Sequence, residues 1–211
     1  GTIMFDYLLA TLSISLTGFS TCILLNSGLK YRKVENATLY FSLYYLLGFM
    51  GLVDMTLWFL EIINSKMFAI VWFWLGIFTG AIGWTFLTQF IHSEKLRKII
   101  KFYVLSSITV ILVLIAASGV NIIEAEILDT GTSPIVFSLV MKSYIIIGGT
   151  LMLLLMFTSA VKTRSKRISL FTTCLLVWTI ADYLLLNHHA FTLYLALYAT
   201  VSLLLLISIK I

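Results

Sequence analysis

The chain has 211 residues, 61% hydrophobic and 11% charged, with 14 Lys and Arg against 9 Asp and Glu. Soluble globular domains carry about 25% charged residues, so a water-soluble enzyme or binding domain is excluded. The net charge of +5 is not a nucleic-acid footprint, because its basic residues punctuate apolar runs instead of forming a surface.

Apolar runs of about 20 residues match a hydrocarbon core of about 30 Å, where only helices or closed barrels satisfy the backbone. The runs are continuous, not alternating, which selects helices. Seven spans are predicted at roughly 3–28, 38–63, 67–92, 99–119, 134–161, 167–188 and 190–210. The expected fold is an all-α, integral membrane bundle of seven transmembrane helices in one domain, residues 1–211.

The first span has no basic segment before it and carries its charges after it, opposite to a secretion signal, so it reads as a retained helix. Eleven basic residues fall in the first, third and fifth connections: Lys30/Arg32/Lys33, Lys95/Arg97/Lys98/Lys101 and Lys162/Arg164/Lys166/Arg167. The positive-inside bias then predicts an outer N-terminus and a cytoplasmic C-terminus. Helix two carries Asp54, Trp58 and Glu61 at i, i+4 and i+7, one stripe toward the outer surface. Helix three carries Gly76, Gly80 and Gly83 beside Trp72, Trp74 and Trp84, which suits close helix packing. The fourth connection is acidic, with Glu124, Glu126 and Asp129, and is the one place for a small outer lid. Pro134 is expected to open helix five, where its missing donor costs little. Helix five holds Lys142 and the pair Gly148-Gly149, and helix six holds Trp178 one turn before Asp182. Cys22 and Cys174 both lie inside spans and read as packing residues.

Ionisable residues within spans are costly and mark a site, a pathway or a pair. Asp54, Lys142 and Asp182 are expected about 9–14 Å below the outer surface, judged from the helical rise. Together with Trp58, Glu61 and Trp178 they form the candidate site for a small polar ligand entering from outside. A structural ion pair between Lys142 and one aspartate fits the same residues, as does a lysine that snorkels outward.

Enzyme chemistry is not expected, and neither a catalytic residue nor a cofactor is assigned. His92 lies at the inner end of helix three and His188-His189 at the outer end of helix six, so they do not meet around a metal. No nucleophile turn, zinc-protease pair or phosphate loop is present. Retinal binding would need a lysine in the middle of helix seven, and Lys210 sits at its inner end. Seven-helix sugar transporters depend on prolines in several helices, and this chain has one. The motifs of G-protein-coupled receptors are absent from the exits of helices three and seven.

From residue 37 to 101 the chain has a span ending LWFLEII, a short outer turn, a span containing VWFWLGI and the exit FLTQFIHSEKLRK. This pattern resembles the N-terminal seven-transmembrane-helix sensor region of histidine kinases, with Trp58, Glu61, Phe86, Phe90 and His92 at the corresponding places. KTRSKRISLFTTCLLVWTIADYLLL resembles its basic fifth loop and sixth helix. The chain departs from that pattern in lacking a proline within helix three and in its very short sixth loop. The resemblance implies an input module of the cell membrane with no reaction of its own. It would pass a conformational change through helix seven to a cytoplasmic signalling domain or partner protein, as a homodimer. A small-solute or ion transporter or channel, and a membrane accessory or assembly subunit, are the alternative functions.

Overall fold

The computed structural model describes residues 2–33, 36–89, 91, 93–118, 126–127, 135–136, 139–164, 166–188 and 191–209, with the side chains at 142 and 182 outside that description. The fold is all-α, with seven helices among the described residues: α1 (Thr2–Tyr31), α2 (Ala37–Phe59), α3 (Ser65–Thr88), α4 (Glu94–Ser118), α5 (Leu139–Thr163), α6 (Lys166–His188) and α7 (Phe191–Ile209). One pair of two-residue strands, β1 (Glu126–Ile127) and β2 (Ile135–Val136), lies between α4 and α5. Two helical stretches, Met4–Tyr31 and Ala37–Phe59, are long and apolar enough to cross a membrane. Shorter apolar stretches run through α3, α5, α6 and α7.

The helices form a closed ring in the order α1, α2, α3, α5, α6, α7 and back to α1, with α4 laid against the outside of α3. Residue size sets how closely neighbours approach. A Cβ at Gly28 would lie 2.8 Å from the Leu39 backbone, so glycine there lets α1 and α2 meet at their shared turn. A Cβ at Gly83 would meet Met152 and Tyr44, which ties α3 to α5 and α2. Gly76 has nothing within 4 Å, so close packing holds at Gly83 and not about two turns earlier.

Three boundaries differ from expectation for local reasons. Helix two stops at Phe59 instead of running to 63: the Leu60 amide bonds Thr56, Glu61 bonds Trp58 and Ile62 bonds Leu57. This is the Schellman closure, which requires a left-handed residue, and Glu61 supplies it at φ 59°. Asn64 then caps α3 by accepting from the Met67 amide at 2.8 Å. Helix four begins at Glu94, five residues before the predicted 99, because Ser93 accepts from the Leu96 amide and Glu94 suits the positive helix end. The second basic cluster, Lys95/Arg97/Lys98/Lys101, is therefore helical, not loop. Helix five begins at Leu139 instead of 134: Ile135 and Val136 pair antiparallel with Ile127 and Glu126, as β-branched residues favour extended backbone. Pro134 and Asp129 lie outside the described residues.

The core is apolar, with Phe41, Leu52 and Met55 fully buried, yet large apolar side chains also cover the outside. Phe19, Phe78, Phe102, Phe157 and Ile207 face outward, whereas Ser13, Ser20, Ser42 and Ser202 are fully buried.

Candidate functional site

The sequence-predicted residues separate into two tiers. The inner tier is built on Tyr44 and Tyr45 of α2. Trp178 of α6 packs 5.0 Å from the Tyr45 ring, 5.4 Å from Tyr44 and 6.2 Å from Tyr198 of α7. Phe41 stacks on Phe171 at 4.0 Å and continues the same aromatic seam between α2 and α6. Trp178 is buried, and its Nε1 has no hydrogen-bond partner among the described residues.

Next to those rings lies a hydroxyl hub that the sequence reading did not single out. Ser202 of α7 donates to the Tyr198 carbonyl at 2.9 Å. Its oxygen also lies 2.8 Å from Thr17 Oγ1 of α1 and 2.5 Å from the Tyr45 hydroxyl. A serine hydroxyl has one proton and two lone pairs; with the proton on Tyr198, Thr17 and Tyr45 are the donors and the hub is fully satisfied. Ser20 donates to the Ser202 carbonyl and Ser13 to the Leu195 carbonyl, so α1 and α7 are stitched along their length. At the other end of this seam Thr192 donates to Asp6 at 2.7 Å. The available signal was spacing: Ser13, Thr17 and Ser20 recur at four and three along an apolar helix, the period of one face.

The outer tier holds Asp54 and Trp58. Asp54 is 5% exposed, and its Oδ2 has no hydrogen-bond partner among the described residues. It lies between Gly51 and Trp58 on the stripe of α2 that faces α3: Gly51 is met by Trp72, and Trp58 packs 4.9 Å from Phe68. Phe68 stacks on Trp72 at 5.6 Å, so Trp58, Phe68 and Trp72 form a column of three aromatic rings between α2 and α3. Glu61 is exposed in the turn beyond α2 and belongs to the rim.

Heights follow from the layer that Tyr44, Gly83 and Met152 share. Asp54 is ten residues beyond Tyr44 and Lys142 ten beyond Met152, each about 15 Å outward along its helix. Asp182 is four residues beyond Trp178, about 6 Å. By helical rise the positions of Asp54 and Lys142 stand at one height and that of Asp182 about 9 Å deeper. Because α2 stops at Phe59 and α5 begins at Leu139, Asp54 and Lys142 lie closer to their helix ends than the predicted spans put them. Of the six candidates, α2 brings Asp54 and Trp58 together, and Trp178 joins the inner tier instead.

Three groups of exposed cations mark the opposite end. Lys30, Arg32 and Lys33 follow α1, Lys95, Arg97, Lys98 and Lys101 open α4, and Lys162, Arg164 and Lys166 join α5 to α6. Arg164 closes α5 in left-handed backbone, φ 50°, its amide bonded to the Ala160 carbonyl at 3.0 Å. No protein-family model, curated protein or solved structure matches the chain.

Proposed function

We propose that this protein is a multi-pass sensor of the cell membrane, crossing it seven times with its N-terminus outside and its C-terminus in the cytoplasm. Support for the membrane setting comes from the outward apolar faces, the interior hydroxyls and the confinement of the basic clusters to one end. The outer tier takes a small polar ligand: Asp54 and Trp58 provide its floor and Glu61 its rim, with Lys142 of α5 and Asp182 of α6 as the further candidate residues. The inner tier converts occupancy into movement of α7, which leads to a cytoplasmic signalling domain or partner in a homodimer.

The observation that carries this reading is the Ser202 hydroxyl, shared by α7 with Thr17 of α1 and Tyr45 of α2. Asp54 lies on the helix that contributes Tyr45, so a shift or rotation of α2 at its outer end is delivered to α7. A ligand moves such an equilibrium only through different affinity for the two arrangements. The test is a distance measurement by paired spin labels at Lys33 and Ile207 in nanodiscs. A sensor predicts that Tyr45→Phe shifts or broadens the distribution at the inner end of α7, and an unchanged distribution would contradict the coupling.

The buried carboxylate of Asp54 favours a second reading, a transporter or channel with Asp54 in its pathway. Potassium or proton flux into proteoliposomes that Asp54→Asn abolishes would replace the sensor with that function.

A further inference from the structure

Helix α4 has two faces. Ile100 is buried toward α3, Val104 and Ile108 continue that stripe half-buried, and Trp84 of α3 meets Tyr103 edge-on at 5.8 Å. The opposite stripe is exposed along its described length: Lys98 and Lys101, then Phe102, Leu105, Thr109 and Leu112. Phe102 is 74% exposed, and Thr109 returns its hydroxyl to the Leu105 carbonyl at 2.8 Å, so its hydroxyl does not interrupt the apolar part of the rail. At its inner end four cations, Lys95, Arg97, Lys98 and Lys101, stand against one carboxylate of the helix, Glu94. Glu94 reaches Lys98 at 3.5 Å with both side chains about three-quarters exposed, a pair too well solvated to neutralise the patch.

We propose that this rail binds an anionic phospholipid of the inner leaflet, with its phosphate between Lys98 and Lys101 and an acyl chain along Phe102, Leu105 and Leu112. The proposal rests on the membrane reading above. Cations directly continued by an apolar stripe match the head and tail of such a lipid in order and in charge. The other two basic clusters fall on helix ends and turns and lack two helical turns of cations above an apolar stripe. A second copy of the chain fits less well, because a two-fold contact through this face would set Lys98 and Lys101 against their own copies.

The experiment uses the full chain in nanodiscs of phosphatidylcholine with a graded fraction of spin-labelled phosphatidylglycerol, reading the immobilised share of the label. The wild type should prefer phosphatidylglycerol. The variant K98Q/K101Q should lose that preference by about five-fold per lysine, while K30Q/K33Q, with the same change in net charge, should keep it. Equal losses in both variants would mean diffuse attraction and overturn the site. Cross-linking of two Leu105→Cys copies at the same yield with and without phosphatidylglycerol would overturn it in favour of self-association. Insertion without any preference overturns the site alone, and failure to insert into either disc overturns the membrane reading together with it.

Discussion

Ser202→Ala removes a single oxygen yet strips partners from two other helices. Thr17 and Tyr45 each lose their acceptor at 2.8 and 2.5 Å, and both are buried. Interhelical hydrogen bonds in membranes average about 0.6 kcal/mol, with a maximum near 1.7, so two of them contribute about 1.2 kcal/mol. Orphaned buried hydroxyls add to that loss, by up to about 1–3 kcal/mol each where no water enters. The alanine recovers a few tenths of a kcal/mol in helix propensity. The net expectation is a destabilisation of about 1–3 kcal/mol. Tyr45→Phe should cost about 1 kcal/mol in the wild type and almost nothing once Ser202 is alanine, because the bond is already gone. Reversible unfolding in mixed detergent micelles reads both numbers and their coupling, expected at about 0.5–1.5 kcal/mol. A Ser202→Ala protein as stable as wild type, or a Tyr45→Phe cost that is equal in the two backgrounds, would refute the hub as an energetic junction between α1, α2 and α7.

Gly28→Ala should lower the melting temperature, since its Cβ meets Leu39 backbone that cannot move aside, at a cost of about 1–3 kcal/mol. Gly148→Ala, with nothing within 4 Å, should be neutral or stabilising by up to about 1 kcal/mol in the same melts. Glu61→Gly should stabilise by about 1 kcal/mol, because a left-handed backbone costs a side-chain-bearing residue that much; a decrease would show that the glutamate makes a compensating contact. Asp54→Asn should raise thermal stability in detergent by about 1 kcal/mol, relieving a buried carboxylate with an oxygen that has no hydrogen-bond partner among the described residues. A fall in stability would identify Asp54 as half of a structural pair.

Element number and order were legible because long apolar runs and basic punctuation are one-dimensional signals. Helix ends were less so. The stop at Phe59 depends on a glutamate in the conformation that usually selects glycine, and the early start of α4 depends on Ser93 outweighing the basic run that read as loop. The strand pair of Glu126–Ile127 with Ile135–Val136 is too short to leave a periodic trace. In the site, Asp54 and Trp58 were found because one turn of helix connects them. Trp178 was assigned to the outer cluster on the strength of Asp182 one turn away, whereas its partners, Tyr44, Tyr45 and Tyr198, come from other helices and leave no local mark. The hydroxyl hub was overlooked for a related reason: serine and threonine are common in apolar helices, and only packing distinguishes Ser202, with three partners, from Thr200, which bonds its own helix at Ala196.

The central claim is that these helices cross a bilayer with the three basic clusters on one side. Single cysteines on a background with Cys22 and Cys174 replaced, placed at Lys33, Lys95, Arg164 and Ile62, would be challenged in intact cells with a membrane-impermeant maleimide. Labelling at 62 alone, with positions 33, 95 and 164 protected until the cells are lysed, is the predicted pattern. Labelling at 33, 95 or 164 in intact cells, or extraction of the chain from membranes by alkaline carbonate, would contradict the account.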